Sequence, residues 1–222
     1  MERAIRWAGA VLMSSVSLLL TVGLAQGGLM NGSFENGPDP GDAMALAPGS
    51  KAINDWTVVS GRISYVGRRW QHSHGARSVG VPCGGGFSQT FETEPDQKYE
   101  VRFSMAGDPT TAPPVKSVAV SFGAQTRLFT FDTTGHSLQE MGWDARSWIF
   151  TATALRTTVT FNSPTTECSM AAVDNVRIIG VEIDVQAGPE EMWRAGRAVH
   201  TGVAGLLLAT GPGLAGDTVV AF

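Results

Sequence analysis

Between Lys98 and Gly107 the chain alternates residue by residue. In KYEVRFSMAG, Tyr99, Val101, Phe103 and Met105 fall on one side of an extended backbone, and Lys98, Glu100, Arg102 and Ser104 on the other. Successive side chains of a strand point to opposite faces, so the pattern predicts an antiparallel strand with one buried and one solvated side. KSVAVSFG repeats it with Val118, Val120 and Phe122, WIFTATA with Trp148, Phe150 and Ala152, and RTTVTFNS with Thr157, Val159 and Phe161. Weaker strands are read at DWTVVSG, RISYVG, RSVGVP, GFSQTFET, RLFTFDT and VDNVRIIGVEI. Leu29 to Glu35 reads as a brief first strand running into an Asn-Gly-Pro-Asp loop. Turn signals separate the rest: Gly107-Asp108-Pro109, Pro113-Pro114, Thr133-Thr134-Gly135 and Asn162-Ser163-Pro164. Roughly nine or ten short strands with no amphipathic helix predict an all-β fold, an antiparallel β-sandwich of jelly-roll type.

The two ends of the 222-residue chain break the alternation. Arg3 and Arg6 precede an apolar run from Ala8 to Leu20, and Gly23-Leu24-Ala25 supplies small residues for cleavage. Residues 1–25 therefore read as a secretory signal peptide, 26–183 as the sandwich domain, and 184–222 as a Gly- and Ala-rich tail. Within that tail, Val199 to Leu208 is only mildly apolar, and no Lys or Arg follows it, so a membrane anchor is not supported. Export gives the two cysteines, Cys83 and Cys168, an oxidising environment. A disulfide is the first reading, worth about 4 kcal/mol in the chain-entropy model for so long a loop. Two buried thiols come second and a nucleophile a distant third.

Charged residues make up 16% of the chain and the net charge is -4, which argues against nucleic-acid binding, since phosphate neutralisation needs clustered Lys and Arg. Hydrolytic and phosphate-binding motifs are missing too: no Gly-x-Ser-x-Gly, no His-Glu-x-x-His, and a glycine run, CGGGFSQ, that leads into a strand instead of a helix. His72 and His74 lack a third metal ligand in view and read as loop residues. Asn31-Gly32-Ser33 matches a glycosylation sequon.

Five blocks recur together in one family: NGSFENG, the stretch from Ile53 to Gly67, GGGFSQTFETEPDQKYEVRFSMAGDP, MGWDARSWIFTATALRTTVTFNSP and AAVDNVRI. In this order they resemble the choice-of-anchor C family of bacterial exported proteins, and the chain is similar to the plant cell-wall proteins called domain of unknown function 642. The resemblance spans about Gly28 to Val181. It implies a galactose-binding-like jelly roll related to carbohydrate-binding modules, and a wall- or matrix-associated protein without catalytic activity. The chain departs from the family where relatives carry Cys-Gly-Pro and this one has Cys168-Ser169-Met170-Ala171-Ala172. In similar modules the segment ending in Phe-Glu lies beside the last strand, and carboxylates there bind a structural calcium. The resemblance thus implies Glu35 and Asp174 as ligands of a Ca2+ ion. The alternative is that Glu35 only accepts backbone hydrogen bonds in a turn while Asp174 starts a strand.

Sugar rings stack on aromatic faces while adjacent polar groups fix their hydroxyls. Trp56, Tyr65, Trp70 and Trp143 are the aromatic candidates, with Trp56 and Trp143 read as core. The cluster Arg68, Arg69, Trp70, Gln71 and His72 is the expected ligand-binding loop, its partner a polysaccharide or other glycan. A structural surface protein making protein contacts without a sugar site is the second expectation. A glycan hydrolase built on two carboxylates is the third.

Overall fold

The computed structural model describes residues 28–164 and 169–181. Eleven strands follow one another among them: β1 (Ala43–Leu46), β2 (Thr57–Ser60), β3 (Ile63–Val66), β4 (Ser78–Val81), β5 (Gly86–Glu92), β6 (Lys98–Gly107), β7 (Val115–Phe122), β8 (Gln125–Asp132), β9 (Asp144–Thr151), β10 (Arg156–Asn162) and β11 (Ala171–Val181). They form a six-stranded sheet in the order β1-β3-β4-β11-β6-β9 and a five-stranded sheet in the order β2-β5-β10-β7-β8. Every pairing is antiparallel. This is the expected jelly-roll sandwich. The described residues belong to one compact unit, and the second unit, Glu182–Phe222, lies outside them, as does the expected signal peptide.

The alternating apolar positions meet between the sheets. Val101, Phe103 and Met105 of β6 face Phe87 of β5, Val118 and Val120 of β7, and Val159 and Phe161 of β10 across a dry core. Phe87 stacks on Phe161, and Trp56 and Phe34 pack on Phe87 with ring centroids 5.0 and 5.8 Å away. Trp56 is core, as expected. Each such side chain removed from water contributes about 1.5–3 kcal/mol before entropy is counted.

Leu29 to Glu35 is not a strand. Asn31 and Phe34 take positive φ, 50° and 61°, so the segment coils instead of pairing along its length. The turn is bolted down by side chains: Asn31 Nδ2 donates to the carbonyls of Asn36 and Asn54, and buried Gln89 holds the Met30 backbone at both its N–H and C=O. An Asn31 so engaged is a structural residue of the turn. One link to the last strand remains, where Val176 N–H donates to the Gly32 carbonyl at 2.8 Å. That link lies at the bulge between Asp174 and Arg177, where Asn175 has φ 53°.

Candidate functional site

The β3–β4 connection, residues 67–77, folds as a strap across the outer face of the six-stranded sheet. Gly80, on β4, is why it lies so close: a Cβ there would come within 3.1 Å of the Trp70 indole, and the same position is crowded by Met170. Trp70 is 4% exposed. Its indole N–H donates to Ser78 Oγ at 2.8 Å, Ser78 lies 3.0 Å from His72 Nδ1, and His72 Nε2 bonds the Gly67 carbonyl. Since a carbonyl only accepts, Nε2 carries the proton, and Ser78 Oγ, which already accepts the indole N–H, can donate to Nδ1 when the imidazole is neutral. Burial lowers the His72 pKa accordingly.

The structure thus places Trp70, expected as a sugar-stacking residue, inside the protein, with its N–H already engaged. The other members of that cluster disperse. Gln71 clamps the β8–β9 connection: its N–H donates to the Leu138 carbonyl, its Oε1 accepts from Met141 N–H, and its carbonyl accepts the Trp143 indole N–H. Trp143 itself is half-buried against the core. Arg69 reaches the fully buried Asp108 at 2.8 Å, and Arg68 stays exposed between Asp39 and Asp42. Tyr65 is fully buried, donating to the Phe34 carbonyl at 2.6 Å. The structure therefore does not bring Arg68 to His72 together as one surface; it uses most of them to tie loops.

Glu35 and Asp174 grip the strap from its two ends. Glu35 Oε1 accepts the N–H groups of Ala76 and Arg77 at 2.9 and 3.0 Å. Asp174 Oδ2 accepts those of Ser73 and His74 at 3.0 and 2.8 Å, and Oδ1 accepts from Asn175. Gly75 has φ +65° between them, and a Cβ on it would collide with Glu35 Oε1. Arg77, which the sequence pattern did not single out, completes the fastening by donating to the Glu35 and Gly37 carbonyls and to Tyr65 Oη. The hydrogen-bonding role weighed for Glu35 is thus present. Asp174 is fully buried and has no ion-pair partner among the described residues. Burial pushes its carboxyl up to about 7, and the nearby Glu35 charge adds to the rise. Carboxylate oxygens are the kind of donors Ca2+ takes, and a bound cation would favour the charged form of Asp174 that burial disfavours. No group of three or more His, Cys, Asp and Glu gathers among the described residues, so carbonyls or water would have to complete its shell. Cys83 is half-buried between β4 and β5; Cys168, and with it the expected disulfide, lies outside the described residues.

Below the strap, none of the described residues covers the same sheet face. Arg102 of β6 lies opposite Arg177 of β11 and Ser147 of β9, and Glu100 opposite Ile179 and Ile149. With Ser104, Ala145 and Asn175 these strands line an open groove of about 470 Å³. Ser73 of the strap meets Ser104 at 2.7 Å and so closes one end. Arg102 Nε and Nη2 hold Glu100 Oε2 at 2.8 and 2.7 Å, which lowers the Glu100 pKa. Ile149 and Ile179 remain 52% and 40% exposed. The polar phase of β6 was visible in the sequence as a solvated side; its partners on β11 and β9 depend on a register that includes a bulge.

The outer face of the five-stranded sheet differs in chemistry. Thr57, Ser88, Thr160, Ser121 and Thr126, one from each strand, form a single cross-strand row of hydroxyls. Thr90 and Thr158 add a bonded pair at 2.7 Å. Such pairs stabilise the sheet by satisfying one another.

An antiparallel jelly-roll sandwich with a strap over one sheet is the class that fold and site define. Residues 27–179 match the family described as "Protein of unknown function (DUF642)", and the chain belongs to it. No curated protein matches. Among solved structures, the chain is similar to TmCBM61 in complex with β-1,4-galactotriose, at 18% identity and a TM-score of 0.46, covering 69% of this chain and 97% of that one. It is also similar to the CBM22-1 xylan-binding domain of Paenibacillus barcinonensis Xyn10C, at 10% identity and a TM-score of 0.43, covering 63% and 94%. Against arabinose-bound MgGH51 α-L-arabinofuranosidase the figures are 13% and 0.46, covering 70% of this chain and 26% of that one.

Proposed function

We propose that the protein is an exported, non-catalytic module that associates with glycans, and that its contact surface is the open half of the six-stranded sheet. The observation that carries this is the groove of about 470 Å³ on the outer face of β11, β6 and β9. Its floor is sheet, its polar side chains are arginine, serine, asparagine and one glutamate, Glu100, and Ile149 and Ile179, the cross-strand partners of Glu100, add exposed apolar surface beside it. Hydroxyl-bearing chains are recognised by such a mixture of hydrogen-bonding groups and apolar surface. A role in hydrolysis is disfavoured because Glu35 and Asp174 turn their oxygens to strap amides rather than to an open cleft.

Within the same reading, Glu35 and Asp174 are the residues that would hold a Ca2+ ion, whose charge would offset that of the buried Asp174 carboxylate and help fasten the strap. A melting curve that rises with calcium and falls with chelator supports the ion; superimposable curves reject it.

A polysaccharide screen with and without calcium tests the function, using Ser147→Trp to fill the groove. Binding by the parent protein that Ser147→Trp abolishes, at unchanged melting temperature, supports the reading. Retention by neither acidic nor neutral polymers favours a structural surface protein making protein contacts. One observation speaks for that second reading: Trp56 and Trp70 are buried, and Trp143 and Trp148 lean on the core, so no described tryptophan offers a free face.

A further inference from the structure

Two arginines sit where a sheet would not ordinarily place them. Arg102 and Arg177 are direct cross-strand partners on the open half, and like charges directly opposite one another destabilise a sheet. Only one of them is compensated. Arg102 shares Glu100, whereas Arg177 forms no ion pair among the described residues, and its Nε meets only the neutral Asn175 Oδ1 at 3.2 Å. Lys98 lies two positions beyond Glu100 on the same side of β6 and is exposed. The row thus keeps surplus positive charge in a chain whose net charge is -4. The hydroxyl row on the opposite sheet carries no such charge. Asp174, opposite Ser104 on the same face, spends its oxygens on strap and bulge amides.

We propose that the groove is selective for acidic polysaccharides, with Arg102 and Arg177 holding the carboxylate of a uronic acid unit. This rests on the reading of the domain as a glycan-associated module and adds the class of glycan. A guanidinium presents parallel N–H donors that match the two oxygens of a planar carboxylate, a geometry Lys does not reproduce. Ser147, which also hydrogen-bonds Glu100, lines the groove within reach of a ring hydroxyl, and exposed Ile149 and Ile179 beside it suit the C–H face of a neighbouring unit. Because the groove is open to water, binding weakens as salt is added.

The test uses polygalacturonate and alginate, two uronans of different stereochemistry, beside the same polymers with their carboxyl groups reduced to alcohols, and dextran sulfate as a generic polyanion. The inference predicts binding to at least one uronan, loss of that binding on carboxyl reduction, and no comparable retention by dextran sulfate. Arg177→Ala weakens it roughly tenfold, the equivalent of about 1.4 kcal/mol, without shifting the melting temperature, and Arg177→Lys restores little. Equal binding of the reduced polymer overturns the acidic selectivity while leaving the glycan reading intact. Equal binding of dextran sulfate reduces the effect to bulk charge and overturns carboxylate recognition. No binding to any acidic or neutral polymer removes both.

Discussion

The outer face of the six-stranded sheet has two halves built on shared strands, and they use their polar residues in opposite ways. Under the strap, Asp174 holds the amides of Ser73 and His74, Ser104 meets the Ser73 hydroxyl, and His72 and Ser78 bond one another beneath the indole of Trp70. A few residues further along β6 and β11, Arg102 and Arg177 face solvent with one acidic partner between them. Polar residues in strands are thus poor guides to function by type alone. What separates the halves is whether a connection is long enough, and small enough at its contact point, to lie down on the sheet. Gly80 admits the strap; among the described residues no loop crosses Arg102.

Substitutions should separate the halves by their effect on stability. Trp70→Ala removes the seal of the covered half and is expected to cost about 3–5 kcal/mol, read as a lowered midpoint in urea. Gly80→Val attacks the same contact from beneath by displacing the indole and should cost about 1–3 kcal/mol. Glu35→Ala leaves the Ala76 and Arg77 amides without their acceptor and should cost about 1–2 kcal/mol, moderated because Ala76 is exposed to water. On the open half Arg177→Ala should change stability by less than about 0.5 kcal/mol, or raise it slightly by relieving the like-charge pair. A large loss for Arg177→Ala would erase the distinction.

Much of the fold was legible in the sequence because alternation is a strong local signal wherever one strand face is buried. β6 (Lys98–Gly107) carries its alternating sequence from Lys98 to Met105. The segment from Leu29 to Glu35 misled because its apolar residues enter the core from a coil with left-handed residues, and single positive-φ positions at Asn31 and Phe34 leave no periodic trace. The candidate site was less legible. Arg68 to His72 were singled out for their residue types, but whether an indole faces water depends on what lies under it, and Gly80 is far from Trp70 in any local pattern. Arg102 and Arg177 are 75 positions apart in the chain and become neighbours only through the β6–β11 register. Glu35 and Asp174 were recognisable from the family pattern, while the amides they hold belong to a loop whose path no motif encodes.

A smaller effect concerns pH. His72 is held neutral below its usual pKa of 6.5 by burial, opposed by its bond to Gly67 and by the nearby Glu35 charge. A base with a depressed folded pKa contributes stability above its unfolded value that is lost as pH falls through the folded one. Asp174 acts in the opposite sense: its raised pKa, about 7, contributes stability at low pH that is lost as pH rises from 3.8. The readout is therefore the difference between the parent protein and His72→Gln, in chelator, with the parent losing more stability than the variant between pH 7 and 5. Parallel profiles would show that the strap does not depend on a neutral His72.

The most direct test of the two-half account is an amide chemical-shift titration of the protein with tetragalacturonate. The account predicts shifts concentrated around Arg102, Ser147, Ile149, Arg177 and Ile179, with the strap from Gly67 to Arg77 and the hydroxyl row of the other sheet unmoved. Shifts centred on Arg68 to His72 would contradict it and return the binding surface to the loop.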